Sequence, residues 1–163
     1  MIIEGKDVEA KGMVKNTRQK GQIQPAGVDL SVESVWRFDG MGVIDEDNSK
    51  RKIPECHQIK WKEDGSIELE PGAYKIIFNE IVSIPKDAAA IARPRSSLLR
   101  CGATVNTAVW DPGYEGRSEA LLVISNPAGI RIYKNAKVVQ LIFIKLEKEA
   151  KEIYKGKYQG ENL

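Results

Sequence analysis

An all-β fold, a barrel or jelly roll with little helix, is what this sequence predicts, and three observations predict it. Short runs alternate apolar and polar residues with period two, turn dipeptides separate the runs, and helical periodicity is nearly absent. A length of 163 residues suits one domain with a substantial core, so a single domain over 1–163 is expected.

Residues 4–12 predict a short helix, with Glu4, Lys6, Asp7 and Glu9 around Val8 and Gly12 as its stop. Val28, Leu30 and Val32 alternate with Asp29, Ser31 and Glu33, the pattern of a half-buried strand. The polar stretch 39–55 reads as a surface excursion. Ile59 and Trp61 alternate before Asp64-Gly65, and Ile67 and Leu69 alternate after it. An Asp-Gly pair between such runs predicts a hairpin, because its central turn positions need positive φ. After Pro71-Gly72, Tyr74 to Ile84 reads as one continuous strand.

Ala88–Ala92, Ala103–Trp110, Glu119–Ser125, Ile130–Tyr133 and Lys137–Leu146 predict further strands, punctuated by Pro112-Gly113, Asn126-Pro127 and Asn135. Ser96 to Arg100 predicts a single helical turn with a capping hydroxyl. The polar, glycine-containing end, KGKYQGENL, predicts a mobile tail at about 155–163.

Composition narrows the function. Twenty-five basic and 23 acidic side chains leave a net charge of +2, which argues against a duplex nucleic-acid binder. A small anionic ligand needs only a few local cations and is not excluded. Cys56 and Cys101 are too few for a disulfide framework, and the single histidine, His57, has no partner at zinc spacing. The charged N-terminus is unlike a signal peptide and no apolar run is long enough to span a bilayer, so no membrane association and a cytoplasmic location are expected.

Four segments carry more chemistry than packing requires. Pro25-Ala26-Gly27-Val28-Asp29-Leu30 places an acid in a strand, where a solvent-facing residue is the plain reading. Arg93-Pro94-Arg95-Ser96-Ser97-Leu98-Leu99-Arg100 concentrates guanidinium groups and hydroxyls at a helix start. That combination makes an anion cradle, or alternatively a solvated loop. Asn106 to Gly116 reads as a hairpin with Asp111 and Tyr114 at its end; Asp111 is also a good turn former before Pro-Gly, and Tyr114 a good core residue. In Lys137-Val138-Val139-Gln140-Leu141-Ile142-Phe143 an amide interrupts an apolar strand and must be hydrogen-bonded to a ligand or to backbone.

In this order the segments resemble the motifs of the dUTPase and dCTP deaminase superfamily. Pro-Ala-Gly-Val-Asp-Leu is similar to its first motif, Pro-Arg-Ser-Ser-Leu to its second, Thr-Ala-Val-Trp-Asp-Pro-Gly-Tyr-Glu-Gly to its third and Val-Val-Gln-Leu-Ile-Phe to its fourth. Lys157-Tyr158-Gln159-Gly160 resembles the terminal motif of the deaminase branch. The resemblance runs from about residue 22 to the C-terminus, leaves 39–62 uncovered, and is best to archaeal-type dUTPases. It implies a dUTPase-like β-clip working as a homotrimer with sites at subunit interfaces, dUTP as substrate and dUMP and pyrophosphate as products.

What separates hydrolase from deaminase in this family is a glutamate beside the pyrimidine C4, which shuttles protons as ammonia leaves. Counting back from Asn126 puts Val123 at that place, and counting forward from Asp111 puts Leu121 there. Neither moves a proton, so the hydrolase is expected. Glu119 shares their strand parity, and a bulge would bring it into the pocket. A dCTP deaminase with Glu119 as proton shuttle is therefore the alternative, followed by a non-catalytic nucleotide-binding module and a structural jelly roll.

For hydrolysis the resemblance implies Asp111 as the base that activates water. Arg95, Ser96, Ser97, Arg100 and Gln140 would bind the phosphates, with Asp29 holding Arg95 and Mg²⁺ carried chiefly by the triphosphate oxygens. Asn106, Thr107, Ala108 and Val109 would read uracil, with Asn106 one residue from the family position, and Tyr114 would pack on the deoxyribose. Lys157, Tyr158 and Gln159 would close as a lid from another subunit.

Overall fold

The computed structural model describes residues 1–163. Two short helices, α1 (Gly5–Ala10) and α2 (Ser96–Arg100), accompany thirteen strands: β1 (Val14–Lys15), β2 (Ile23–Gln24), β3 (Gly27–Asp39), β4 (Glu55–Ile59), β5 (Ser66–Leu69), β6 (Gly72–Phe78), β7 (Ile81–Ser83), β8 (Ala88–Pro94), β9 (Ala103–Asn106), β10 (Glu115–Gly116), β11 (Glu119–Ile124), β12 (Ile130–Tyr133) and β13 (Lys137–Lys145).

The main sheet runs β8-β13-β3-β6-β11-β9, with β2 and β4 also paired to β3. Its two end strands are consecutive in the chain and joined through α2. Beyond β9 the backbone returns to β8, where Ala90 N donates to Trp110 O (3.0 Å) and Trp110 N to Ala90 O (2.9 Å). The sheet thus nearly closes on itself, which leaves few free edges. Phe78, Phe143, Leu30, Ile76, Leu122 and Leu141 are fully buried inside. Smaller sheets, β1-β7-β10 and β12-β5, flank the barrel.

The expected all-β barrel is what forms, with several local corrections. Residues 28–32 are buried on both faces, not alternately: Val28, Leu30 and Val32 enter the hydrophobic core, while Asp29 and Ser31 find internal polar partners in Arg95 and Glu80. Asp64-Gly65 does turn the chain: Gly65 has φ +76°, and Asp64 Oδ1 accepts from the Ser66 backbone N–H (2.9 Å). The flanking runs do not form a hairpin ladder, however, since β4 pairs with β3 and β5 with β12. Tyr74–Ile84 breaks at Asn79-Glu80, where the chain turns Glu80 inward, and β7 then pairs with β1 and β10. β9 stops at Asn106 and pairs with β11, so 106–114 is a long connection and not the hairpin expected. α2 has Arg95 at its N-cap and no side-chain cap bond, contrary to the capping hydroxyl expected there.

Gly27 is fixed by a close approach. A Cβ at that position would lie 2.0 Å from Leu141 O, so only glycine lets the start of β3 meet β13.

Candidate active site

β13 builds the first half of the site. Its Gln140 is in register with Asp29 of β3 on one side and Arg93 of β8 on the other. The side chains at that level surround a polar cavity of about 350 Å³ lined by Gln24, Asp29, Arg93, Pro94, Arg95, Ser96 and Gln140. Apart from Pro94, every lining side chain is polar or charged. Asp29 is buried, and its Oδ2 lies 3.2 Å from Arg95 Nε and 3.9 Å from Lys137 Nζ, while Gln24 Nε2 donates to the same oxygen (3.2 Å). Burial pushes the Asp29 pKa up, and Arg95, Lys137 and the Gln24 hydrogen bond pull against that shift. The solvent-facing alternative for Asp29 is thereby overturned: its carboxylate is a buried anchor for a cation. Arg95 and Arg93 leave donors free toward the cavity, the arrangement that suits a polyanion.

The second half lies after β9. Ala108, Val109, Trp110, Asp111, Tyr114, Ser118, Glu119, Tyr154, Tyr158 and Glu161 enclose a cavity of about 90 Å³. Asp111 is exposed at its edge. Tyr114 is buried, its hydroxyl 2.9 Å from Ser118 Oγ and donating to Glu161 Oε1 (2.7 Å); Trp110 Nε1 donates to Ser118 Oγ (2.6 Å). Desolvation raises the pKa of both Tyr114 and Glu161.

The C-terminal segment lies over this cavity within the same chain. Tyr154 N donates to Pro112 O (2.7 Å), Gly160 N to Glu115 O (2.8 Å) and Arg117 N to Glu161 O (2.9 Å). The Tyr154 ring meets Tyr114 edge-on at 5.6 Å. Gln159 Nε2 donates to Gly113 O (3.1 Å), Tyr158 lines the cavity, and Lys157 sits over the Tyr158 ring.

Of the expected phosphate ligands, Arg95, Ser96 and Gln140 converge with Asp29. Ser97 instead lines a neighbouring apolar groove with Leu98, Cys101 and Val138, and Arg100 is exposed at the end of α2. Of the nucleoside set, Ala108, Val109 and Tyr114 converge with Asp111, the expected general base, whereas Asn106 and Thr107 line neither half. The two halves share no lining residue. Sequence reading misses Gln24, Ser118, Tyr154 and Glu161; it places Arg93 in the anion-cradle segment and Lys137 in the Gln140 segment without giving either a role of its own. Gln24 adjoins the first motif. Nothing in the sequence marks Glu161.

Glu119 reaches the second cavity, as its strand parity allows. Its Oε1 accepts from Lys75 Nζ (3.0 Å), and Asn162 Nδ2 donates to it at 3.4 Å. Leu121 and Val123 follow it on the same half-exposed face of β11, opposite the buried Ala120, Leu122 and Ile124. No group of three or more His, Cys, Asp or Glu side chains comes together to hold a metal ion.

Fold and site together define a nearly closed all-β barrel with a cation-lined polar pocket and a separate cavity bearing an acid and aromatic rings. The chain belongs to the dCTP deaminase-like family, whose profile matches residues 4–146. It is 54% identical over 141 residues, 86% of this chain and 82% of the relative, to a probable deoxyuridine 5'-triphosphate nucleotidohydrolase of Methanosarcina mazei. Its fold is similar to that of 2'-deoxycytidine 5'-triphosphate deaminase from Agrobacterium tumefaciens, with TM-score 0.65 and 22% identity. The match covers 87% of this chain and 47% of that one. The EIAV dUTPase is similar at TM-score 0.51 and 16% identity, covering 90% of this chain and 93% of the other.

Proposed function

We propose that this chain is a dUTP diphosphatase that hydrolyses dUTP to dUMP and pyrophosphate, working as a cytoplasmic homotrimer. The observation that carries the reading is the pairing of a cation-lined polar pocket with a cavity edged by the exposed carboxylate of Asp111. The kinship with a protein named as a probable deoxyuridine 5'-triphosphate nucleotidohydrolase, at 54% identity, supports the same substrate.

In this reading Asp111 orients a water toward the α-phosphorus and takes its proton. The water oxygen bonds to phosphorus as the bond to the bridging oxygen breaks, and pyrophosphate leaves. Arg95, Ser96 and Gln140 hold the phosphate chain. Mg²⁺ bound to the triphosphate would offset the leaving group's charge. The residues present fit an ion delivered that way: the pocket offers guanidinium, amide and hydroxyl groups to the phosphates and no carboxylate cluster to compete for the metal. Ala108 and Val109 read the base through their backbone groups. Uracil offers an N3–H donor and an O4 acceptor, and cytosine reverses both, so correctly placed backbone groups reject it.

That the two halves share no residue supports a site completed between subunits. The docked C-terminal segment covers Tyr114 and leaves about 90 Å³, too little for a nucleoside, so this segment lifts to admit dUTP and closes again through Tyr158 and Gln159. The placement of Glu119 in the same cavity favours one second reading, a dCTP deaminase with that residue as proton shuttle. Incubation with dUTP and with dCTP in Mg²⁺, with both base and phosphate products identified, tests the two. Pyrophosphate from dUTP without ammonia from dCTP is expected, and dUTP formed from dCTP overturns the proposal.

A further inference from the structure

Glu80 is fully buried where β6 gives way to β7, and no cation stands among its hydrogen-bonding partners. Three donors meet it: Ser31 N to Oε2 (2.8 Å), Ser31 Oγ to Oε1 (2.6 Å) and Gln22 Nε2 to Oε1 (2.7 Å). Asn79 Nδ2 donates to Ser31 Oγ (3.0 Å), so the serine's own proton is free to point at Glu80. Every partner therefore donates, and the group is held as an acceptor-only carboxylate.

The network leads to the polar pocket. Gln22 Oε1 accepts from Arg18 N (2.7 Å) and Gln19 N (2.8 Å), which pins the loop before β2. Gln22 Nε2 also donates to Asp29 O (2.9 Å), and Asp29 N donates to Gln22 O (2.7 Å). Both backbone groups of Asp29 and the N–H of Ser31 are thus fixed by Gln22 and Glu80. The Asp29 side chain in turn holds Arg95.

A buried carboxylate without a counter-ion is costly, and an apolar group of similar volume would serve stability at least as well. What the carboxylate supplies is a fixed geometry. We propose that Glu80 is a positioning residue for the polyphosphate pocket, locking β3 around Asp29 and thereby aiming the Arg95 guanidinium. The inference rests on the phosphate-binding role assigned to that pocket above.

The test compares Glu80→Gln, Arg95→Ala and the double variant in the full-length protein. KM for dUTP and the Kd of an α,β-imido dUTP analogue are measured, with deoxyuridine as the ligand lacking phosphate. Glu80→Gln is expected to raise KM and the analogue's Kd by about ten-fold with kcat and deoxyuridine binding kept, since small misplacements of binding groups are costly. The double variant should bind the analogue no more weakly than Arg95→Ala alone, because both act on one group. Additive losses, or a fall in kcat at unchanged KM, overturn the proposal. If Glu80→Gln does not fold, Ser31→Ala, which removes one donor, carries the same comparison and the same outcomes. If Arg95→Ala itself leaves analogue binding unchanged, the phosphate reading of the pocket has failed. If Arg95→Ala weakens it and Glu80→Gln does not, only the positioning role has failed.

Discussion

Asp29 Oδ2 lies 3.2 Å from Arg95 Nε, and the acid is buried while the base is about a third exposed. This asymmetry makes the acid the fixed partner and the arginine the working one. Asp29→Ala should free the guanidinium and leave it competing for water. Losing one partner of a desolvated pair costs about 2–5 kcal/mol, and the exposure of Arg95 places this pair near the lower end. The expected outcome is a raised KM for dUTP with a smaller change in kcat, read from steady-state kinetics of pyrophosphate release.

Asp111 has a different signature. Its carboxylate is exposed at the cavity edge and carries no hydrogen bond that would tie it to the fold. Asp111→Asn should therefore leave thermal stability within about 0.5 kcal/mol of the parent. Turnover of dUTP should fall by about 10²-fold or more as the proton acceptor is lost. Isothermal titration should still detect binding of an α,β-imido dUTP analogue. Near-normal turnover would remove Asp111 from its assigned role.

Truncation before Lys157 removes Tyr158, Gln159 and the Glu161 acceptor of the Tyr114 hydroxyl. Turnover should drop because the closed state is lost. The proposed trimer, read by light scattering, should persist because the barrel core lies elsewhere. Full activity in the truncated protein would end the lid assignment.

The legibility of the sequence divided along physical lines. Strand positions followed from alternation because side-chain parity is a local property, and α2 at Ser96–Arg100 coincides with the turn predicted there. Pairing was not legible: Asp64-Gly65 turns the chain as expected, yet β3 and β12, far away in sequence, claim the flanking strands. The same limit explains Asp29, whose buried ion pair depends on β8 arriving beside β13. Asn106 and Thr107 follow from motif position alone; β9 ends at Asn106, and neither residue lines the cavity that the adjoining Ala108 and Val109 reach. Glu80 and Glu161 gave no signal, since isolated acids in a sequence with many surface charges are indistinguishable from solvated ones.

Three acids, Glu80, Asp29 and Glu161, have raised pKa values chiefly because burial disfavours their charged forms. Such groups bind protons more tightly when folded than when unfolded. Their contribution to stability is present below the ordinary carboxylate range and is lost as pH rises through the raised values. Asp47, Asp64 and Glu68 shift downward through hydrogen bonds and act oppositely, but they are fully exposed and their effect is screened. Denaturant midpoints should therefore fall as pH climbs from about 4 toward neutrality. Glu80→Gln should flatten part of that slope, and an unchanged slope would mean that Glu80 does not titrate there.

Substrate choice turns on Glu119. Its carboxylate lines the cavity beside Asp111 and Tyr114, but Lys75 Nζ is 3.0 Å away, and the same ammonium lies 5.0 Å from the Trp36 ring centroid. A proton shuttle must present its carboxylate to the base, and here Lys75 and Asn162 both occupy its Oε1. The residues that follow on the same face, Leu121 and Val123, have no proton to exchange. Glu119→Gln should consequently reduce dUTP turnover by less than about ten-fold, well short of what loss of an acid/base group costs. The parent protein should release no ammonia from dCTP in a coupled assay over the period in which dUTP is consumed. Lys75→Met sharpens the comparison by freeing the carboxylate without removing it. Ammonia from dCTP in that variant alone would mean that the ion pair is what withholds deamination, and ammonia from the parent would mean that Glu119 already performs it.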